Sequence, residues 1–349
     1  MTREELQELV QSGEMVRALD LSGLDLSGAN LSGAIFEDVR LRGCRLVGTS
    51  FKESMLMGCD LSEASLESAD LRRALLAKSS LRGACLARAN LSATKFADVD
   101  LTTADLQEAE LTLTAFIGCL LDRAILRKVR ADRAAVINGS TIGMDLSGAV
   151  LRQPVLIGAD LTASDLAGIR IDTGVLTKVR LAGRDLRGMY LAQTQLNEAD
   201  LSGCDLRETT LTGSNMKDAK LVGAKLDGAQ AANVLFVGAK LSGATLSRAF
   251  LRQSIFVQAD LSAANLSGAD LQQCVFQQAS CAGARFVGAD CTYADFSHAD
   301  LSGADLTGTT LFRAKLHRAN LKGALVTNRA AALGDDQELA QAEDFKPPA

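Results

Sequence analysis

The sequence predicts an all-β solenoid, on three observations: an unbroken five-residue period, a fixed pair of apolar positions in each unit, and phenylalanines spaced by twenty. Counting in fives from Leu21 gives centres that run to Val326 without insertion or deletion, 62 consecutive pentapeptides. Of these centres 57 are Leu, Phe, Ile, Val or Met; Ala131, Thr141, Ala231, Cys281 and Cys291 are the exceptions. Two residues before each centre the side chain is mostly Ala, Ser, Thr, Cys or Val. A period of five matches neither a helix at 3.6 nor a simple strand at 2. It suits a short extended piece carrying one large and one small inward side chain, followed by a turn. One such unit cannot bury its apolar pair alone, so the units have to stack.

The phenylalanines count the units in one coil. Nine centres are Phe, and seven of them (Phe36, Phe96, Phe116, Phe236, Phe256, Phe276 and Phe296) lie 20 residues or a multiple of 20 apart. Four pentapeptides therefore make one coil, with a square section and four faces. Glycine falls at the last position of the pentapeptide, where a tight turn needs it.

The elements follow in chain order. Residues 1–17 precede the repeat and form an N-terminal helical cap: Thr2 with Glu5 reads as a capping box, and Leu6, Leu9 and Val10 supply an apolar stripe. Such a helix covers the open edge of the first coil. Residues 18–326 are the solenoid. Its weakest coil spans 129–144, where Ala131, Gly139 and Thr141 replace ordinary inward residues, and Pro154 and Arg184 also sit at small inward positions. Because the register survives, this is local distortion rather than a domain boundary. Residues 327–349 are a C-terminal cap and tail, with one or two helical turns at 335–343 and a loose end at 344–349.

The recurrent ALDLSG, LDLSG, ANLSG and ADLTG units resemble those of the pentapeptide-repeat family across residues 18–326. The resemblance implies a right-handed quadrilateral parallel β-helix with the centre and the residue two before it pointing inward. About 15 coils at roughly 4.8 Å each would make a rigid rod on the order of 70 Å long.

Composition argues against catalysis and cofactors. The chain has two His, two Tyr, three Pro and no Trp, too few groups for a zinc site or an imidazole acid–base pair. His298 and His317 are expected on the surface as a pair 19 residues apart rather than as ligands. Seven of eight Cys (Cys44, Cys59, Cys119, Cys204, Cys274, Cys281 and Cys291) occupy inward positions, as small core residues do; Cys85 alone faces outward. Free thiols suit a reducing compartment. No apolar run is long enough to span a membrane, and the first residues show no signal peptide, which points to the cytoplasm. Neither a nucleophile–base constellation nor a phosphate loop appears. No cofactor, metal, small-molecule substrate, nucleic acid or membrane is expected as a ligand, and the chain is expected not to be an enzyme.

Charge separates the partner classes. The net charge is −5, yet between residues 18 and 326 there are 33 acids and 33 bases, so the excess lies in the ends. Quinolone-resistance members of the resembled family copy B-form DNA and bind DNA gyrase; that alternative demands an acidic surface, whereas a balanced repeat projects no long-range field. A further alternative comes from the opening, MTREELQELV…LDLSGLDLSGANLSG, which is similar to pentapeptide-repeat proteins associated with bacterial type VI secretion and implies an accessory role in effector handling.

The outward positions flanking each centre single out one face. Large apolar residues fill 14 of 30 such positions on the face through Phe36, against 3 of 32, 4 of 32 and 4 of 30 on the other three. Two runs stand out: Ile117, Ile137, Val155, Ile157 and Val175, then Leu235, Val237, Ile255, Val257 and Val275, with Gln195, Asn197, Asn215 and Lys217 between them in sequence. An apolar strip of this kind marks a contact surface. The expected function is that of a non-enzymatic scaffold binding a protein partner, or a second copy, through this face. Tyr190, Phe250 and Phe312 on the neighbouring face could rim such a contact.

Overall fold

The computed structural model describes residues 1–345 and divides into two compact units, Met1–Arg180 and Leu181–Ala349. Each unit is a parallel β-solenoid in which residue n lies beside residue n+20, as in Ile35 beside Met55 and Asp200 beside Lys220. The chain makes about 16 turns in all.

Backbone hydrogen bonding explains the period. Within Asp60–Ala64, Leu61 N–H donates forward to Ser80 O (2.7 Å) and Glu63 N–H to Arg82 O (2.9 Å), while Asp60 N–H donates back to Val39 O (3.0 Å). Ala64 N–H closes the turn on Leu61 O (3.1 Å). The remaining amide, Ser62 N–H, donates to the Asp60 carboxylate at 3.0 Å. All five amides of the pentapeptide thus have partners, which buried backbone requires. The residue before each centre is so often Asp or Asn because its side chain holds the one amide that no neighbouring coil reaches. Glu63 adopts φ 60°, the left-handed region that favours the glycine commonly found at its position.

The core is built from the two inward columns. Phe236, Phe256, Phe276 and Phe296 stack with successive centroids 4.8, 4.7 and 4.7 Å apart, and Phe96 stacks on Phe116 at 4.9 Å. The small inward residues also carry a polar duty. Thr49 Oγ1 donates to Leu26 O (2.8 Å) and Cys44 Sγ to Leu21 O (2.9 Å), carbonyls one coil back, whereas Ser54 Oγ donates to Phe51 O of its own coil (2.6 Å). Burial without such a partner would be costly.

The four faces are not identical, contrary to a simple square. On the Phe36 face of the first unit, three-residue strands form an eight-stranded parallel sheet that runs from Met15–Arg17 to Val155–Ile157. Most other rungs are single bridging residues. Turn chemistry accounts for part of this: Cys59 N–H donates to Ser79 Oγ at 3.0 Å, where an ordinary unit would close back on its own centre. Met15–Arg17 shows that the first rung already lies within the segment before residue 18, with Val16 buried beneath it.

The irregular region extends past the coil at 129–144. Arg130–Asp132, Val150–Arg152 and Arg170–Asp172 form a separate three-stranded sheet. Gly139 is required because a Cβ there would lie 2.4 Å from the Cys119 carbonyl oxygen. Gly174 faces the Pro154 ring, whose Cγ would be 3.0 Å from an added Cβ. Ala131, at a centre otherwise taken by Leu, leaves an apolar cavity of about 30 Å³ lined by Leu111, Phe116, Leu126 and Met144 among others. Arg184, half-buried, keeps the turn bond of its unit to Leu181 O at 3.0 Å.

Both ends carry helices. Helix α1 (Arg3–Gln11) has the reciprocal Thr2–Glu5 capping box, and it buries Leu6 and Val10. Gln7 Oε1 accepts from Asn30 N–H at 3.3 Å, tying the helix to the first coil. At the other end Leu333 adds a rung beside Lys315, and helix α2 (Gln337–Asp344) follows, capped by Asp336. The loose end expected at 344–349 lies, from residue 346 onward, outside the described residues.

Filling the cavity should stabilise the irregular coil. Ala131→Val is expected to raise stability by about 0.7 kcal/mol, the cost associated with a void of that size. A denaturant midpoint unchanged or lowered relative to wild type would show that the surrounding backbone cannot accept the extra methyls.

Candidate interaction face

Pairing at n+20 turns the sequence pattern into columns. In the first unit Ile117, Ile137 and Ile157 lie side by side, and beside them run Ala115, Ala135, Val155 and Val175. In the second unit Leu235, Ile255 and Val275 form one column, and Val237 and Val257 lie on the other side of the same centres. Ile117 is 45 % exposed and Leu235 38 %; the remaining residues of the two strips are half-buried by their neighbours in the column. All ten sequence-selected residues thus fall into two strips, one in each unit. The β-branched side chains are at home on such a pleat, since neighbours above and below restrict χ1 in the way they already prefer.

Other surfaces are polar and internally paired. Arg180 meets Asp160 at 3.0 Å, Arg187 meets Asp185 at 2.6 Å, and Arg207 meets Asp205 at 2.6 Å. The Arg187 guanidinium and backbone N–H hold Asp185 down to about 2. Acids are therefore paired with nearby bases, either one coil away as Asp160 with Arg180 or within the same pentapeptide as Asp185 with Arg187, even where acids follow one another in a column as Asp185 and Asp205 do. Tyr190, Phe250 and Phe312 are about half exposed. Sequence inspection missed Tyr293, whose ring meets Phe312 edge-on at 5.8 Å with the Arg313 guanidinium 5.8 Å from its centroid. Its left-handed turn position hid the pairing.

The thiols behave as core. All eight cysteines are free, seven are buried, and Cys85 is half-exposed. Burial pushes Cys59 and Cys204 up to about 11 and Cys274 to about 12. Native protein at pH 8 should react with a thiol-specific reagent at one fast site, removed by Cys85→Ser, and at all eight sites once unfolded. More than one fast site would mean that coils open locally.

One expectation is corrected by the fold: His317 is not a surface residue but is 3 % exposed. The return of the chain through Leu333 into α2 covers it. Glu343 in the last turn of α2 places Oε1 3.0 Å from His298 Nε2 and Oε2 3.3 Å from His317 Nε2. Arg318 Nε also reaches Glu343 Oε2 at 3.0 Å, and Arg318 Nη2 donates to Ala340 O at 2.9 Å. Such contacts between residues 19 to 45 apart, outside the repeat, left no pattern to read.

Acid should loosen the turns. The carboxyls of Asp25, Asp300 and Asp305 lie below the ordinary 3.8, because the residue two further on (Ser27, Ser302 or Thr307) bonds the ionised form, its backbone N–H lying 3.0 Å from the carboxylate in each case. A folded-state value below the unfolded one contributes stability above the unfolded value, and that stability is lost as pH falls through the folded value. The thermal midpoint is therefore expected to fall steadily below about pH 4. Combined Asp25→Asn, Asp300→Asn and Asp305→Asn should flatten that fall, since Asn90 already makes the same bond to Ser92 N–H at 3.1 Å. An equal acid slope in the variant would remove these groups as its cause.

The geometry defines a class before it defines a family: a repeat protein whose every coil is four turns of five residues, with one apolar outer face and no enclosed polar cleft among the described pockets. The chain belongs to the pentapeptide repeat family, whose model matches in eight copies, seven of them at residues 20–56, 54–92, 84–123, 175–213, 214–253, 254–290 and 289–328. No curated protein matches the chain.

Solved structures similar to it include QnrB1, a plasmid-mediated fluoroquinolone resistance protein, at 14 % identity over 67 % of this chain and 89 % of that one, with a TM-score of 0.28. HetL, a pentapeptide repeat protein involved in heterocyst differentiation regulation in the cyanobacterium Nostoc, is 26 % identical over 94 % of this chain and 98 % of its own, with a TM-score of 0.17. A pentapeptide repeat protein from the Arabidopsis thaliana thylakoid lumen is 27 % identical over 34 % of this chain and 68 % of its own, with a TM-score of 0.17. Among the described residues no helix is long and apolar enough to cross a membrane.

Proposed function

We propose that the protein is a non-enzymatic scaffold that binds another protein surface, in the first instance a second copy of itself, through its apolar outer face. The observation that carries this reading is the asymmetry of the faces: 14 of 30 flanking positions on one face are large and apolar, against 3 or 4 on each of the others. Strand preference accounts for part of this in the first unit, whose three-residue strands lie on that face, but not in the second, where Leu235, Ile255 and Val275 are single bridging residues like those of the other faces. The ordered backbone favours the role, because a surface held in place by neighbouring coils loses little conformational freedom on binding. The balance of 33 acids and 33 bases between residues 18 and 326 opposes the DNA-mimic alternative, which needs a continuous negative surface.

Light scattering over a hundredfold concentration range tests the proposal. Wild type is expected to self-associate, and Ile157→Asp with Val237→Asp to remain monomeric with an unchanged circular dichroism spectrum. Each single change assigns the contact to the strip of one unit. If wild type stays monomeric throughout, or the double variant associates equally well, self-association through this face is wrong.

A further inference from the structure

We propose that His298, His317 and Glu343 form a binding site for one divalent cation of the zinc class, which fastens α2 to the last coils of the second unit. Their donor atoms (two imidazole nitrogens and a carboxylate oxygen) lie within 4.8 Å of one another, the one cluster of this kind among the described residues. Two imidazoles and one carboxylate, with a water in the remaining position, are a donor set that zinc accepts in tetrahedral geometry. Metal–ligand bonds of about 2.0–2.2 Å put tetrahedral donors about 3.3–3.6 Å apart, so a pair at 4.8 Å would close by roughly 1.2–1.5 Å. The exposed side of His298 leaves room for the water.

Backbone geometry holds the two histidines in place. His298 N–H donates to His317 O at 2.8 Å, so the residues are neighbours in successive coils, and their rings meet edge-on with centroids 5.4 Å apart. Glu343 comes from the C-terminal turn of α2, where the helix dipole is negative and favours a cation. Asp335 and Asp344 bring further negative charge, while Arg318 pairs with both Glu343 and Asp344 and orients the carboxylate.

Binding requires a proton to move. His317 Nδ1 accepts from Asp336 N–H at 3.1 Å, so the neutral ring carries its proton on Nε2, facing Glu343. When the metal takes Nε2, the ring proton must sit on Nδ1. Asp335 Oδ1, 3.9 Å away, is the acceptor within reach once the Asp336 amide swings aside. The arrangement then becomes carboxylate–histidine–metal, in which the outer carboxylate fixes the ring and strengthens the ligand. Asp335 is thus a positioning residue for the metal.

The test uses the full chain carrying Cys85→Ser, stripped with a chelator and titrated with zinc alone, magnesium alone, or cobalt. One zinc per chain should bind, magnesium should not, the thermal midpoint should rise with zinc, and the cobalt spectrum should lack a thiolate charge-transfer band. His298→Ala and Glu343→Gln, both at the accessible side of the cluster, should each lower zinc affinity at least 10-fold and remove the rise in midpoint. Asp335→Asn, which keeps an acceptor for Arg318 N–H, should weaken zinc affinity by about 10-fold, and the rise in midpoint with zinc is read against the variant's own apo value. Failure to bind stoichiometric zinc, or equal binding by wild type, His298→Ala and Glu343→Gln, would overturn the site.

Discussion

Everything in this molecule depends on the register between residue n and residue n+20. Three of the five amides in a pentapeptide find their acceptors only in an adjacent coil, so no coil is satisfied until its neighbours are in place. An insertion of a single residue would carry every following centre out of the interior and leave its amides facing the wrong carbonyls. That penalty explains why 62 units pass without a gap. It also explains why the irregular stretch near Ala131 and Pro154 is corrected by glycines at 139 and 174 and not by a change of length: space can be adjusted locally, spacing cannot.

The repeated part of the fold was legible because inward side chains repeat with the coil. Leu21, Phe36 and their successors announce the interior, the small residues two before them announce the corner, and Thr2 with Glu5 announces the cap. What was hidden depends on side chains that act singly. Asp60 looks like one more surface acid, yet it closes the hydrogen-bond account of its own turn. His317 sits at an outward position by period, and only the return of the chain through Leu333 buries it. The two apolar strips were readable as a list of residues, since columns follow directly from a period of twenty. Their half-burial was not, because it comes from the side chain one coil above and below.

The candidate face and the charged faces express the same constraint in two ways. Stacking places like positions in contact every coil, so a column can repeat one apolar side chain, as Ile117, Ile137 and Ile157 do, or alternate charge, as Asp20, Arg40 and Asp60 do. Where acids follow one another, as Asp185 and Asp205 do, Arg187 and Arg207 beside them offset the repulsion. An apolar column gains from its neighbours even before any partner arrives, and this leaves it rigid as well as water-averse.

The direction of the amides has an electrical consequence. In each regular pentapeptide two inter-coil N–H groups point toward the C-terminal end and one points back, so the peptide dipoles do not cancel as they do in an ordinary sheet. Each unit is polarised with its positive pole at the C-terminal end, the reverse of an α-helix. At the last coil Arg318 N–H points past the end of the repeat and is met by the Asp335 carboxylate at 2.7 Å. The Asp335 carboxylate is therefore a counter-charge to the stack itself: it meets the pole that a terminating solenoid would otherwise leave bare.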